Sequence, residues 1–224
     1  MKKKDMKLLS LLFLLGAFSF NLVAQEDDIE VSSRFGKSDR LMVDIYSDMW
    51  LNAPDTILFK DKNPGASVSL MQDFPFGATN FSFAIGLGIG THNMRSDASL
   101  YVDSNNVSFF SNMQIEPKQN KLVLSFVDVP IELRFRTKRE NVFRFAIGGK
   151  FGYMINNHIK YVDNDEKTKT FKVDNINPLR YGVTARFGYK MFNVYVYYGL
   201  STLFEDKMGP EMTPLSFGIS IIPF

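Results

Sequence analysis

Eleven charged side chains stand at positions that a period of two turns to one side of their strands. They are Asp44, Asp48, Asp73, Asp128 and Glu132, with Arg134, Arg136, Arg144, Lys150, Arg180 and Arg186. Five negatives against six positives nearly cancel. Charges withdrawn from water have to be paired, so the set reads first as a structural ion network filling an interior. The sharper reading is a selectivity lining along a pore. Pairing the two strands that flank the segment after Arg136 about their turn sets Asp128 opposite Lys150, with Glu132 diagonal to Arg144 and Arg134. The expected network is Asp128, Glu132, Arg134, Arg144, Lys150, Arg180 and Arg186.

Other chemistry has thinner support. The two histidines, His92 (near Ser96) and His158, fall near the outer ends of strands, and no repeated constellation of partners surrounds either, so no catalytic residue is assigned. GLGIGT (Gly86–Thr91) has the glycine density of a phosphate-binding loop, but such a loop needs a strand before it and a helix after. These glycines alternate inside a strand. DNDEK (Asp163–Lys167) carries carboxylates without the Gly and closing Glu of a calcium loop. No metal and no cofactor is expected. The absence of cysteine excludes thiolate zinc, iron–sulfur clusters and a cysteine nucleophile.

Positioning these groups falls to eight alternating runs: 41–51, 66–76, 81–89, 122–136, 143–155, 179–189, 192–201 and 215–221. In the third, Phe81, Phe83, Ile85, Leu87 and Ile89 share a face, against Ser82, Ala84, Gly86, Gly88 and Gly90. In the sixth, Leu179, Tyr181, Val183, Ala185, Phe187 and Tyr189 oppose Arg180, Gly182, Thr184, Arg186 and Gly188. Strands of roughly ten residues are long enough to cross a bilayer at a tilt. Nearly all the bulk lies on the apolar face, while the polar face is Gly, Ser, Ala and charge. A soluble barrel would put its bulk inside. This one needs lipid outside and small residues with ion pairs within a narrow lumen.

The connections run to about 13, 4, 30, 5, 22, 2 and 13 residues, long alternating with short, as in membrane barrels with short periplasmic turns and long outer loops. Phe76 and Phe81, Phe135 and Phe143, and Tyr189 and Phe192 flank the three short turns, each on the outward face. They are expected to form an aromatic girdle at the periplasmic interface. The segment 94–120, with Leu100, Tyr101, Phe109, Phe110 and Met113, has more apolar content than a solvated tip requires. It is expected to fold onto the barrel mouth or to present a partner surface.

The chain has 224 residues, 22 of them Phe, with a net charge of +2 and a mean hydropathy of −0.09. Lys2, Lys3, Lys4 and Lys7 precede an apolar stretch, Leu8 to Phe20, that is too short to span a membrane as a helix. Residues 1–24 therefore read as an export signal with cleavage after Ala24. Of 26 basic and 24 acidic residues, four lysines and Asp5 lie in that signal, so the remainder carries 22 against 23. That balance argues against nucleic acid as a partner. Residues 25–39 read as a polar lead-in, and 40–224 as one all-β domain, an eight-stranded antiparallel transmembrane barrel.

The segments VDVPIELRF (Val127–Phe135), FRFAIGGKFGYMI (Phe143–Ile155), RYGVTARFGYKMFNVYVYYGLSTLF (Arg180–Phe204) and the ending PLSFGISIIPF resemble the PorT-like outer-membrane β-barrel family of Bacteroidota. The resemblance covers the chain from about residue 40 onward and is specific to fold and envelope class. It implies an outer-membrane location, lipid as the surrounding partner, and insertion by the barrel-assembly machinery through a C-terminal signal, Phe224. Phe224 is out of phase with Leu215–Ile221, and Pro223 breaks the alternation. The family carries no shared catalytic motif. The expectation is a non-enzymatic structural or interaction protein whose outer loops contact a protein partner, with a role assisting secretion or envelope assembly implied by the resemblance. A narrow channel and a lipid-active enzyme are the alternatives.

Overall fold

The computed structural model describes residues 41–55, 57–59, 62–113, 118–137, 142–163 and 166–223. The expected signal (1–24), the lead-in (25–39) and Phe224 lie outside the described residues. Strands dominate the described residues, and no helix occurs among them. They are β1 (Leu41–Leu51), β2 (Pro64–Pro75), β3 (Phe81–Arg95), β4 (Ala98–Val102), β5 (Ser108–Asn112), β6 (Gln119–Arg136), β7 (Phe143–Asp163), β8 (Glu166–Phe171), β9 (Leu179–Tyr189), β10 (Phe192–Gly199) and β11 (Thr213–Ile221).

Eight of them close a ring in the order β1, β2, β3, β6, β7, β9, β10 and β11, with β11 pairing back onto β1 and every pairing antiparallel. Closure leaves no unpaired edge in the ring, which a sheet surrounded by hydrocarbon requires. The pleat decides the faces. Along β1, Leu41, Ile45 and Met49 are exposed while Met42, Asp44, Tyr46, Asp48 and Trp50 are buried. The same alternation in β3, β7, β9 and β10 puts Leu87, Ile89, Phe151, Leu179, Phe187 and Val194 on the outside. The apolar face is therefore the outer face of the ring.

Short turns join β2 to β3, β6 to β7 and β9 to β10 at one end, where β1 begins and β11 finishes. In the first turn the Phe76 N–H donates to the Phe81 carbonyl at 3.0 Å, and Gly77 takes φ +56°, a left-handed conformation that only glycine adopts without a Cβ penalty. Phe81 stacks on Phe135 with ring centroids 5.0 Å apart, and Phe143 on Tyr189 at 5.2 Å. Phe192 lies opposite Tyr189, and Phe76 is exposed beside the first turn. Two pairs of the six aromatics named for the girdle, Phe81 with Phe135 and Phe143 with Tyr189, thus meet across strand interfaces.

Two expectations need correction here. The connections read as loops of about 30 and 22 residues contain strands. β4 and β5 form a hairpin of their own, and β8 pairs with the part of β7 that projects beyond the ring. Asp163 and Glu166, from the DNDEK segment, close that second hairpin. The other correction is a register. The ladder between β6 and β7 continues past Phe135, since the Thr137 N–H donates to the Phe143 carbonyl at 3.0 Å and Thr137 Oγ1 accepts from the Phe143 N–H at 2.8 Å, so that Phe143 stands opposite Thr137 and not Phe135. Phe135 therefore faces Phe145, Asp128 faces Gly152, and Lys150 faces Pro130 rather than Asp128. The slip is two residues, so every side chain keeps its face while the partners change.

Two irregularities sit in β6. The ladder to β3 lacks pairs opposite Val129 and Pro130, since proline has no N–H to offer it. A bulge between Ser125 and Phe126 leaves Ile155 of β7 without an opposite residue. Beyond it the inward positions of β7 shift by one.

Candidate functional site

The even positions of β1 sample the lumen from the short-turn end to the long-loop end, and each meets a different environment. Met42 joins Met71, Ala84 and Ile222 in a small apolar cluster. Asp44 enters the ion network. Tyr46 packs with Tyr195 and Tyr197. Asp48 holds His92, and Trp50 joins a larger apolar cluster at the long-loop end.

The network runs unbroken across the lumen. Arg134 of β6 donates to Asp73 of β2 at 2.8 and 3.0 Å and to Glu132 on its own strand at 2.9 Å. Glu132 also accepts from Nη1 of Arg186, which reaches it from β9. Arg186 Nη2 donates to Asp44 Oδ2 at 3.0 Å, and its Nε donates to Ser220 Oγ at 3.2 Å. Lys150 Nζ stands 4.0 Å from the same Asp44 oxygen and donates to the Tyr195 hydroxyl at 3.0 Å. Glu132, Asp44, Arg186 and Lys150 are all buried, so the mutual pairing is what makes their burial tolerable.

A separate pair lies higher. Arg180 of β9 grips Asp128 of β6 through two bonds, Nε to Oδ1 at 3.0 Å and Nη2 to Oδ2 at 2.5 Å. Its guanidinium carbon stands 4.1 Å over the Phe126 ring. The strand between them, β7, contributes Gly152, which faces both Asp128 and Arg180 in the ladder. A Cβ on Gly152 would collide with Asp128 Oδ1 and lie 2.8 Å from both Cγ and Nε of Arg180. The glycine is the gap through which two strands that are not neighbours join their charges. Below it, a Cβ on Gly148 would lie 3.0 Å from Glu132 Cγ.

Of the seven residues expected in the network, Asp128, Glu132, Arg134, Lys150, Arg180 and Arg186 make the bonds given above. Asp128 pairs with Arg180 rather than Lys150, and Glu132 with Arg186 and Arg134 rather than Arg144. Arg144 lies opposite Arg136 at the short-turn rim. The lumen also departs from a filling of small residues and ion pairs alone. Toward the long loops Trp50, Met94, Leu122, Leu124 and Phe126 point inward and pack with Ile57, Ile176, Leu203, Phe204 and Met212 from the connections. Leu100 and Phe110 of the β4–β5 hairpin lie against this plug. Its signal in the sequence is LVLSFV (Leu122–Val127), apolar on both faces, where one face alone would serve lipid.

His92 is buried among rings. Its Nδ1 lies 2.8 Å from Asp48 Oδ1, which also accepts from Ser216 Oγ at 2.6 Å. Tyr46 and Tyr197 stack at 5.3 and 5.7 Å. Ser96, the partner suggested by sequence proximity, instead donates to the Ala98 carbonyl. The hydroxyl lies on the carboxylate and not on the imidazole, so the order of a nucleophile–base–acid relay is missing. His158 sits beyond the ring on β7, its ring 5.4 Å from Phe171. Among the described residues, no group of three or more His, Cys, Asp or Glu could hold a metal ion.

A closed ring of eight antiparallel strands, apolar outside and charged within, is a transmembrane β-barrel. Residues 23–205 match the sequence model of the outer membrane protein beta-barrel domain, and the chain belongs to that family. Among curated proteins none matches it. The protein is an integral β-barrel of the cell outer membrane.

Proposed function

We infer that this barrel is closed and non-enzymatic and that it acts through its outer loop cluster. The observation that carries the reading is the filled lumen. Side chains occupy it from Met42 to the plug around Trp50 and Phe204, and the cavities at the short-turn mouth and beneath the plug amount to about 30 and 20 Å³, room for a water or two each. A narrow channel would need a continuous wet path. A lipid-active enzyme would need an accessible acid–base pair, and His92 is shut inside.

The loops favour an interaction role because they are tied to one another. The Ser108 N–H donates to the Met208 carbonyl at 2.9 Å, and Asn175 Nδ2 to the Asn106 carbonyl at 2.8 Å. On this braced platform Tyr101, Val102 and Phe109 remain exposed. The resemblance to the PorT-like group makes assistance to secretion or envelope assembly the preferred setting. Planar-bilayer recording from pure protein tests closure, and discrete openings would overturn it. Photo-crosslinking from positions 101 and 109 in intact cells tests the loops: a discrete adduct from these sites, absent from a site on β8, is the expected result. An altered lipid profile in a deletion strain, restored by wild type but not by His92→Ala or His158→Ala, would refute the non-enzymatic reading.

A further inference from the structure

Beyond the ring, β3, β6, β7 and β8 continue side by side, and their registers place four cations in one row. Arg95 lies opposite Lys121, Lys121 opposite Lys160, and Lys160 opposite Lys169. All four stand on the outer face. Their chain neighbours Met94, Leu122 and Ile159 point the other way, into the plug or against it. Lys167, two residues before Lys169, continues the same face.

Like charges directly opposite one another destabilise a sheet. Four in succession over about 15 Å is an arrangement a fold avoids unless something anionic meets it. Among the described residues no ion pair includes any of the four, and Arg95 Nε is buried without a hydrogen-bond partner. Burial, then Arg95, Lys160 and Lys169, hold the Lys121 ammonium below its ordinary pKa.

Height narrows the counter-charge. The last fully apolar outward row is Ile89, Val127, Tyr153 and Leu179. The cations stand six residues further along, about 20 Å by strand rise, or about 15 Å along the membrane normal at the usual barrel tilt. Between the two levels, Phe171 of β8 is an exposed apolar foothold. That level is the headgroup and saccharide zone of the outer leaflet, above the acyl chains.

We propose that the Arg95–Lys121–Lys160–Lys169 row binds the phosphate groups of an outer-leaflet glycolipid. The ladder holds the cations at fixed spacing, and the lipid approaches from the side with its chains along Phe171 and the belt below.

The test uses the full chain folded in detergent micelles, with native mass spectrometry to measure retention of a rough-type lipopolysaccharide, intact or chemically dephosphorylated. Wild type is expected to bind the intact lipid at least about tenfold more tightly, and Lys121→Gln/Lys160→Gln/Lys169→Gln to erase that preference. Heat-modifiable gel migration reports that the variant is folded. If it is not, Lys169→Gln alone, exposed and outside the ring, is expected to reduce the preference severalfold. Equal binding of both lipids by wild type, an undiminished preference in a folded variant, or displacement of the lipid by inorganic phosphate at equal concentration would each overturn the proposal, the last by pointing to a free-anion site.

Discussion

Replacing Arg180 by Met should be among the most damaging single changes to this barrel, because it strands Asp128. Both members of the pair are buried, with side-chain exposures of 5% for Arg180 and 1% for Asp128. Losing one partner leaves a charge that neither water nor protein neutralises, which costs about 3–5 kcal/mol, a factor of roughly a hundred or more in the folding constant. Replacing both, as in Asp128→Leu/Arg180→Met, removes the charge with its partner and should recover most of that loss, to within about 1–2 kcal/mol of wild type. Urea unfolding of protein folded in micelles supplies the measurement, and Trp50, the single tryptophan, lies in the plug and reports the transition. A parallel cycle pairing Asp128→Leu with Lys150→Met should show much weaker coupling, since Lys150 bonds to Tyr195 and stands by Asp44 while Asp128 bonds to Arg180. A loss under about 1 kcal/mol for Arg180→Met, or stronger coupling of Asp128 to Lys150 than to Arg180, would refute the reasoning.

Three further outcomes are expected. Gly152→Ala should destabilise by about 1–3 kcal/mol by forcing Asp128 and Arg180 apart, whereas Gly149→Ala, whose Cβ would meet nothing nearer than 3.6 Å, should be nearly neutral in the same unfolding assay. Leu87→Arg, on the outer face at 61% exposure, should cost about 2–4 kcal/mol in bilayers and little in a chain whose outer face met water, so refolding yield into vesicles decides between the two surroundings. His158 lies beyond the apolar belt. Burial, then Lys169, Lys121 and Lys160, depress its pKa below the ordinary 6.5. The unfolded chain then takes up the proton first, so this group's contribution to stability falls as pH drops below 6.5. Lys169→Gln should raise the His158 midpoint in an NMR titration, and an unchanged midpoint would show that the row is not felt there.

Much of the barrel is legible without coordinates because the pleat is local. Phe81 to Ile89 alternates with Ser82 to Gly90 whatever the rest of the chain does, so the lipid face and the lumen face follow from the order of residues. The short turns are legible for the same reason, since the aromatics flanking each keep the parity of their strands. The lumen itself is less so. LVLSFV shows a doubly apolar run, but its inward half acquires meaning only when Ile57, Ile176 and Phe204 arrive from three separate connections.

What the sequence by itself determined is which side of the wall each residue occupies, and with it the membrane as solvent and a balanced set of interior charges. Only the tertiary structure decided who meets whom. Asp128 was expected to face Lys150, yet the turn closes on Thr137 and Phe143 instead of Phe135 and Phe143, which moves the register by two and puts Gly152 in that place. Through the gap of that missing side chain Arg180 reaches Asp128 from the next strand over. Facing is a property of one strand, fixed by a period of two. Partnership depends on turn lengths and ring closure, which sum over the whole chain and which no single segment contains.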